Sequence, residues 1–235
     1  MAADVRVFPG PEALGAALAD EVLARYDATP GPYLLGCPGG RSLRSTYRAL
    51  AARERTLDRL VVVMMDEYVG APTDAHYSCT RFAHDEIARP LGACEVWLPD
   101  AADPDAYDAR IAAAGGIDLF LLASGASDGH VAFVAPGAPR HARTSVIPLA
   151  TTTRRDNLAT FPDFESLDDV PLRGVSVGLG TIGEARSLRL VLHGRGKREA
   201  AARLLSLDGF DPDWPVSIVH DHGDAQIWVD EAALS

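Results

Sequence analysis

The stretch Ile117-Asp-Leu-Phe-Leu-Leu-Ala-Ser-Gly-Ala-Ser-Asp-Gly-His130 decides the fold class. An apolar run here ends in small residues, and an acid, a glycine and a histidine follow directly. The pattern is typical of a buried strand of an open α/β sheet, and such sheets bind ligands at the carboxyl ends of their strands. An Asp two residues before a His can orient the imidazole ring. The plainer interpretation is a tight turn with a solvated Asp-Gly pair and an incidental histidine.

The composition is that of an ordinary globular protein with an acidic surface. The 235 residues, of which 47% are hydrophobic and 23% charged, suit one large domain or two small ones. A net charge of −11 argues against nucleic acid as a partner, although local cations can still bind an anionic substrate. Apolar runs are too short for a membrane span, and the N-terminus lacks the apolar core of a signal peptide. We therefore expect a cytoplasmic protein with no membrane partner.

Three cysteines, Cys37, Cys79 and Cys94, are too few and too widely spaced for a disulfide framework or a zinc site. We expect them to be reduced thiols and expect no bound metal.

Strand and helix patterns alternate along the chain, which predicts a mostly parallel α/β sheet flanked by helices. The predicted strands are 5–7, 33–37, 60–65, 96–98, 117–122, 175–179, 188–192 and 225–229. The predicted helices are 12–26 (with Pro11 as the first helical residue), 43–53, 80–87, 105–113 and 197–205. We expect residues 1–235 to form a single domain. Segment 135–172, which is rich in Pro, Thr and Asp and has weak periodicity, is expected to be a lid or a loop insertion within it.

A Gly-rich turn joins a predicted strand to a predicted helix at Leu35-Gly-Cys-Pro-Gly-Gly-Arg-Ser-Leu43. Free backbone N–H groups and the helix dipole favour an anion at such a turn, and Arg41 and Ser42 add donors. The spacing is not that of a Walker loop, which also requires a Lys. The alternative is a plain strand-to-helix turn.

Two further segments carry charged side chains at expected strand ends. Asp66 and Glu67 follow an apolar strand, where partial desolvation raises a carboxyl pKa and suits the group to act as a base. The alternative is that both acids begin a wet loop. Lys197 begins a predicted helix, where a cation opposes the dipole unless an anion lies in front of it. The alternative is an exposed lysine.

Together these motifs resemble the glucosamine-6-phosphate deaminase/6-phosphogluconolactonase family, in order and over nearly the whole chain. The motif Met65-Asp-Glu-Tyr-Val-Gly70 resembles the deaminase branch more than the lactonase branch, and Asp128-Gly-His-Val-Ala-Phe133 resembles the family's most specific motif. The matching segments, in chain order, are 35–42 with Tyr47, 65–70 with Ser78 and Phe82, 128–133, 177–181 and Lys197.

The resemblance implies a Rossmann-like α/β fold and a phosphorylated sugar as substrate. Asp66 is expected to move a proton between C2 and C1 of the sugar, and His130, oriented by Asp128, to open the sugar ring. The resemblance implies no metal or organic cofactor, since proton transfer and charge stabilisation suffice. A homo-oligomer, in which a second copy of the chain is the partner, is an open alternative. The residues expected to bind substrate or phosphate are Gly39, Gly40, Arg41, Ser42, Gly129 and Lys197.

The chain departs from the deaminase pattern at several positions. Val134 and Ala135 stand where that pattern has Asn and Glu, Ala159 stands for a phosphate-binding Arg, and Cys79 stands for a Tyr. Loss of the Glu removes a negative charge beside the histidine, which should weaken the proton relay. Val134 and Ala135 are expected to make that wall of the pocket apolar and smaller. Arg41 is expected to replace the missing arginine from the other side of the phosphate.

Three functional hypotheses follow. The first is a sugar-phosphate isomerase or deaminase that uses Asp66 as its base. The second is a lactonase-type hydrolase in which His130 activates water. The third is a sugar-phosphate-binding protein without catalysis, which the lost Glu and Arg favour but the retained Asp66 opposes. We predict the first, with a substrate that has diverged from that of the family.

Overall fold

The computed structural model describes residues 3–92 and 95–235. The expectation of a reduced thiol at Cys94 lies outside these residues. Across the described part of the chain, no helix combines the length and apolar character that a membrane span requires.

Seven parallel strands form the main sheet, in the spatial order β1-β10-β9-β6-β2-β3-β5. Three more strands form a small antiparallel sheet, in the order β4-β8-β7. The strands are β1 (Asp4–Phe8), β2 (Tyr33–Cys37), β3 (Leu60–Met64), β4 (Asp66–Tyr68), β5 (Glu95–Trp97), β6 (Leu119–Ala123), β7 (Ser145–Pro148), β8 (Arg173–Ser176), β9 (Leu188–Leu192) and β10 (Ala225–Asp230).

Helices cover both faces of the main sheet, which confirms the expected Rossmann-like arrangement. They are α1 (Pro11–Ala28), α2 (Arg44–Ala51), α3 (Cys79–Phe82), α4 (Pro104–Ala113), α5 (Thr151–Thr160), α6 (Leu179–Gly183), α7 (Arg198–Leu205) and α8 (Glu231–Leu234). Helix α3 continues as a π-helix over Ala83–Ala88, and short 3₁₀ turns occupy Leu167–Asp169, Arg195–Lys197 and Pro215–Asp221.

The central strands are apolar on both faces because each face packs against helices. Alternate residues of β3 divide between two cores: Val61 and Val63 pack with α4, α6 and α7, whereas Val62 and Met64 pack with α1 and α2. Strands β2 and β6 approach closely, since a Cβ added at Gly36 would lie 2.0 Å from the Phe120 ring. The direction in which successive strands are added to the sheet reverses between these two neighbours, β2 and β6.

The structure corrects three details of the predicted elements. Residues 66–68 form strand β4 and not a wet loop, because they pair with β8. Residues 177–179 leave the predicted strand, since β8 ends at Ser176 and α6 begins at Leu179. Segment 135–172 contains strand β7, helix α5 and a 3₁₀ turn, which its Thr- and Asp-rich composition did not indicate.

Candidate active site

A cavity of about 430 Å³ opens at the carboxyl ends of the parallel strands. The loops that follow β2, β3, β6 and β9 line it, and helix α5 lies against it. Strands β2 and β6 lie at the point where the strand order reverses, which is where open α/β sheets bind ligands. The sequence predicted strand-end positions for the Gly-rich turn, Asp66, His130 and Lys197, and all four line this cavity, whereas residues 177–181 are not among the lining residues.

Asp66 lines the cavity at the junction of β3 and β4, and only 7% of its surface is exposed. Burial raises the pKa of its carboxyl group to about 7, and the nearby Glu67 adds to the rise. The Cys79 thiol donates a hydrogen bond to Asp66 Oδ1 over 3.2 Å, which with the nearby His130 opposes the rise. A carboxyl group in this state can both accept and return a proton near neutral pH.

Glu67, the neighbouring acid, has a structural role. Its carboxylate accepts hydrogen bonds from the backbone N–H groups of Tyr68, Cys79 and Thr80 and from the Thr80 hydroxyl. It therefore satisfies donors at the start of α3, where a negative charge is favourable. The interpretation that both acids begin a wet loop is wrong for both of them.

His130 and Asp128 form a hydrogen-bonded pair in the turn after β6. His130 Nδ1 lies 2.8 Å from Asp128 Oδ1, and the same oxygen accepts from the His130 backbone N–H over 3.1 Å. Burial opposes ionisation of Asp128, but hydrogen bonds from His130 and Thr152 outweigh it and hold the Asp128 pKa well below its usual range. The pairing leaves the Nε2 edge of the ring as the part available to a ligand, and His130 lines the cavity.

Two glycines let this turn form. A Cβ at Gly125 would lie 2.2 Å from His130 Nδ1 and 2.5 Å from Asp128 Oδ1, so the pair fits only because the side chain is absent. Gly129 has φ +65° and lies directly over the Trp214 ring. Its carbonyl accepts from Val216 N over 2.9 Å. Gly129 shapes the turn and is not among the residues that line the cavity, and its expected role in substrate binding stays a prediction.

Cationic and backbone groups meet at one side of the cavity. Gly39, Gly40, Arg41 and Ser42 line it from the β2 loop, and Lys197 lines it from the 3₁₀ turn before α7. The two loops are tied together, since His193 Nε2 hydrogen-bonds to the Ser42 carbonyl over 3.0 Å.

Lys197 Nζ donates to the Ser124 carbonyl over 2.6 Å, so this lysine is held in place and is not a freely exposed one. Burial lowers its pKa, Arg41 lowers it further, and Asp156 and Asp128 oppose the change. The carboxylate of Asp156 is the second-strongest influence on this ammonium group. Arg41 and Lys197 are therefore close enough to influence each other, as a shared anion would require.

The residues that replace the family's Asn, Glu and Arg lie outside the cavity wall. Val134 is 5% exposed and belongs to the core, and neither Ala135 nor Ala159 lines the cavity. The expectation that Val134 and Ala135 shape the wall is wrong, because the turn presents its Ala132 and Phe133 there.

Helix α5 supplies residues at the site that were not among the predicted site residues. Asp156, Asn157, Thr160 and Phe161 line the cavity, and Thr152 reaches Asp128. The available signal was the helical periodicity of this segment, but its four threonines and scattered charges obscured it.

Comparison with known proteins gives a consistent result. The model of the family described as glucosamine-6-phosphate isomerases/6-phosphogluconolactonase matches residues 9–228. The chain is 39% identical over 219 residues to a glucosamine-6-phosphate deaminase of Rhodococcus jostii, covering 87% of this chain and 82% of that protein. It is 36% identical over 217 residues to the corresponding protein of Shouchella clausii, covering 86% and 84%.

Solved structures agree. The fold is similar to that of a monomeric glucosamine-6-phosphate deaminase with a TM-score of 0.90 and 27% identity, covering 98% of both chains. A 6-phosphogluconolactonase from Trypanosoma brucei matches with a TM-score of 0.74 over 98% of this chain and 97% of that one, at 20% identity, which supports the fold alone.

Proposed function

The chain belongs to the family of glucosamine-6-phosphate isomerases and 6-phosphogluconolactonases, and from this membership we propose that it is a sugar-phosphate isomerase/deaminase of the glucosamine-6-phosphate deaminase type. The observation that carries the proposal is the state of Asp66, a buried carboxyl group in the cavity with a pKa of about 7. Such a group is suited to take a proton from carbon and to return it to a neighbouring carbon.

The proposed reaction begins with opening of the sugar ring, in which His130 exchanges a proton with the sugar. Asp128 holds the imidazole ring of His130 in place by accepting a hydrogen bond from Nδ1. Asp66 then removes the proton from C2 of the open-chain aldose and delivers it to C1, through an enediol or, for a 2-amino sugar, an enolamine. The enolamine route ends in an imine, and addition of water to that imine releases ammonia and leaves the ketose. No step in this sequence requires electrons to enter or leave.

We propose that the phosphate lies between Arg41 and Lys197, over the backbone of Gly39, Gly40 and Ser42. Arg41 compensates for the alanine at position 159, since a guanidinium can bind a phosphate through two parallel hydrogen bonds. The short tie between His193 and the Ser42 carbonyl supports a preformed site. Preformed donors cost less ordering entropy on binding.

The two alternatives to this proposal are a lactonase and a binding protein without catalysis. A lactonase would use His130 to activate water and would have no use for Asp66, so the buried acid in the same cavity favours the isomerase. A binding protein without catalysis would gain nothing from burying a carboxyl group at a cost in stability. Asp66 therefore favours an enzyme over both alternatives.

We propose further that residues 1–235 act as one domain in the cytoplasm, without cofactor, metal, nucleic acid or membrane partner. Segment 135–172 is proposed to act as the lid, which is supported by the position of α5 against the cavity. Self-association stays a prediction, and light scattering after size-exclusion chromatography tests it. The solved deaminase with the similar fold is described as monomeric.

The activity is tested by incubating the purified chain with glucosamine 6-phosphate, glucose 6-phosphate and 6-phosphogluconolactone. Ammonia and ketose phosphate are measured for the sugars, and acid release for the lactone. We expect ketose formation from at least one aldose phosphate, lost in Asp66→Asn and retained in the exposed control Asp74→Asn. Opening of the lactone with no ketose from any sugar would support the lactonase instead. Binding of the sugars without any turnover would support the third hypothesis.

A further inference from the structure

Asp128 has a hydrogen-bond partner outside its own turn. Its Oδ1 is used by His130, which approaches it through both the ring Nδ1 and the backbone N–H. Its Oδ2 accepts a hydrogen bond from the hydroxyl of Thr152. Both carboxylate oxygens are therefore occupied, and together these bonds fix the plane of the carboxylate as well as its position.

Thr152 lies in the first turn of α5, the helix that lies against the cavity. Asp156, Asn157 and Thr160 of this helix and Phe161, directly after it, line the cavity. Asp156 and Thr160, four and eight residues after Thr152, lie on the same face of the α-helix as Thr152. The hydroxyl that holds Asp128 thus belongs to a face of α5 that also lines the cavity.

This bond matters more here because the chain has an alanine, Ala135, where the resemblance leads one to expect a glutamate. Within the described residues, Asp128 is the carboxylate that accepts a hydrogen bond from the His130 ring. Whatever orients Asp128 therefore orients the imidazole, since a His ring is directed by the partner of its other nitrogen. The threonine hydroxyl supplies that orientation from outside the turn.

We propose that Thr152 is a positioning residue, which holds Asp128 in the orientation that His130 requires. It thereby fixes the position of the Asp128–His130 pair relative to helix α5. The proposal rests on the proposed function for its kinetic consequence, since ring opening is the step that His130 serves. Thr152 then connects helix α5, which contacts the substrate in the cavity, to the Asp128–His130 pair.

The test removes the hydroxyl while keeping the shape of the side chain. In Thr152→Val, kcat for the aldose phosphate turned over by the wild type should fall on the order of tenfold, because a hydrogen bond to a charged group is lost. KM should change by less than about threefold, since the proposed phosphate groups are untouched. Thr152→Ser should restore most of kcat, and Thr152→Ala should resemble the valine variant.

The matched control is Thr151→Val on the preceding residue, which is exposed and does not line the cavity. It should keep wild-type kcat and KM. Circular dichroism melts of all variants separate loss of activity from loss of fold. A serine variant as impaired as the valine variant would overturn the proposal, because packing and not the hydroxyl would then be the cause.

A second measurement does not depend on turnover. The His130 Nδ1 proton, shielded from exchange by Asp128, should give a downfield ¹H NMR signal in the wild type and in Thr152→Ser, assigned by its loss in His130→Gln. In Thr152→Val it should broaden or disappear. If the wild type turns over no sugar, the proposed function fails, but the NMR signal of the His130 Nδ1 proton still tests whether Thr152 positions Asp128. An unchanged signal together with kcat within twofold of wild type would overturn the positioning role.

Discussion

At the scale of single residues, the chemistry depends on the surroundings of Asp66. Burial raises its pKa to about 7, while the Cys79 thiol lowers that pKa by donating to the ionised form. The sequence predicted a half-desolvated base at this strand end, and the structure has it buried. The part played by Cys79 was not predictable, because a residue 13 positions later in the chain had to be brought against Asp66 by the β4–α3 connection.

The thiol hydrogen bond predicts a change in pH dependence. Asp66 works as a base only when ionised, so kcat should rise with pH through about 7 in the wild type. In Cys79→Ala the donor is lost, the ionised form is less favoured, and the rising limb should move to higher pH. Cys79→Ser keeps a donor and serves as the control. A pH–kcat profile measured for the three proteins checks this, and an unmoved limb in the alanine variant would argue against the contact.

The same burial predicts an effect on stability. The folded state raises the Asp66 pKa above its unfolded value of about 3.9, so it favours the protonated form. The resulting contribution to stability is complete below pH 4 and is lost as pH rises through about 7. Asp66→Asn does not titrate, so relative to wild type it should gain roughly 2 to 4 kcal/mol between pH 4 and pH 8. Urea unfolding at both pH values measures this, and Asp74→Asn should show little change. A constant difference at the two pH values would contradict the prediction.

At the scale of elements, the site depends on how the turn after β6 is built. Gly125 follows the strand and passes so close to the catalytic pair that a Cβ would lie 2.2 Å from His130 Nδ1. The sequence predicted a reactive turn here from the apolar run and the Asp-Gly-His motif. The packing of Gly129 against Trp214 was not predictable, because Trp214, directly before the 3₁₀ turn Pro215–Asp221, is far along the chain from Gly129.

A methyl group at Gly125 should therefore damage catalysis more than folding. In Gly125→Ala we expect kcat to fall at least about tenfold, since the Asp128–His130 pair must move to make room. Binding of inorganic phosphate, measured by calorimetry, should weaken less than kcat falls, because Arg41 and the β2 loop are separate from this turn and only Lys197 contacts it, through the Ser124 carbonyl. Gly183→Ala is the control, as no atom of the described residues outside its own stretch of helix lies within 4 Å of the added Cβ. Wild-type kcat in Gly125→Ala would show that the turn tolerates the methyl group.

Helix α5 shows where sequence patterns fail at this scale. Its residues Thr151–Thr160 have few apolar side chains, and the helix lies against the cavity without entering either main core. A helix that packs against a ligand site needs no apolar stripe, so periodicity of hydrophobic residues does not reveal it. The buried strands, by contrast, were predictable, because burial on both faces requires runs such as Leu60–Met64.

At the scale of the whole molecule, the buried side chain of Arg189 forms ion pairs between the main sheet and residues distant in the chain. Arg189 in β9 is 2% exposed and pairs with Glu21 of α1 over 2.7 Å and with Asp224, just before β10, over 3.2 Å. Neither ion pair was predictable, since the partners are 168 and 35 residues away. A buried charge is tolerated only where it is paired.

Arg189→Ala should accordingly lower the free energy of unfolding by about 3 kcal/mol, because Glu21 keeps only the half-buried Arg25 as a partner and a void remains in the sheet. The control is Arg53→Ala, which breaks the exposed Arg53–Asp20 pair and should cost less than about 1 kcal/mol. Equilibrium unfolding in urea compares the two variants. Equal losses would show that burial of Arg189 carries no special weight.

The central claim for the molecule is that Asp66 moves a proton between two carbons of a sugar phosphate. The direct measurement is ¹H NMR of glucosamine 6-phosphate, or whichever aldose phosphate is turned over, incubated with the enzyme in D₂O. The proposed function predicts deuterium at C2 of the remaining aldose or at C1 of the ketose with wild type and with Asp74→Asn, and none with Asp66→Asn. Exchange that continues at the wild-type rate in Asp66→Asn would contradict the claim.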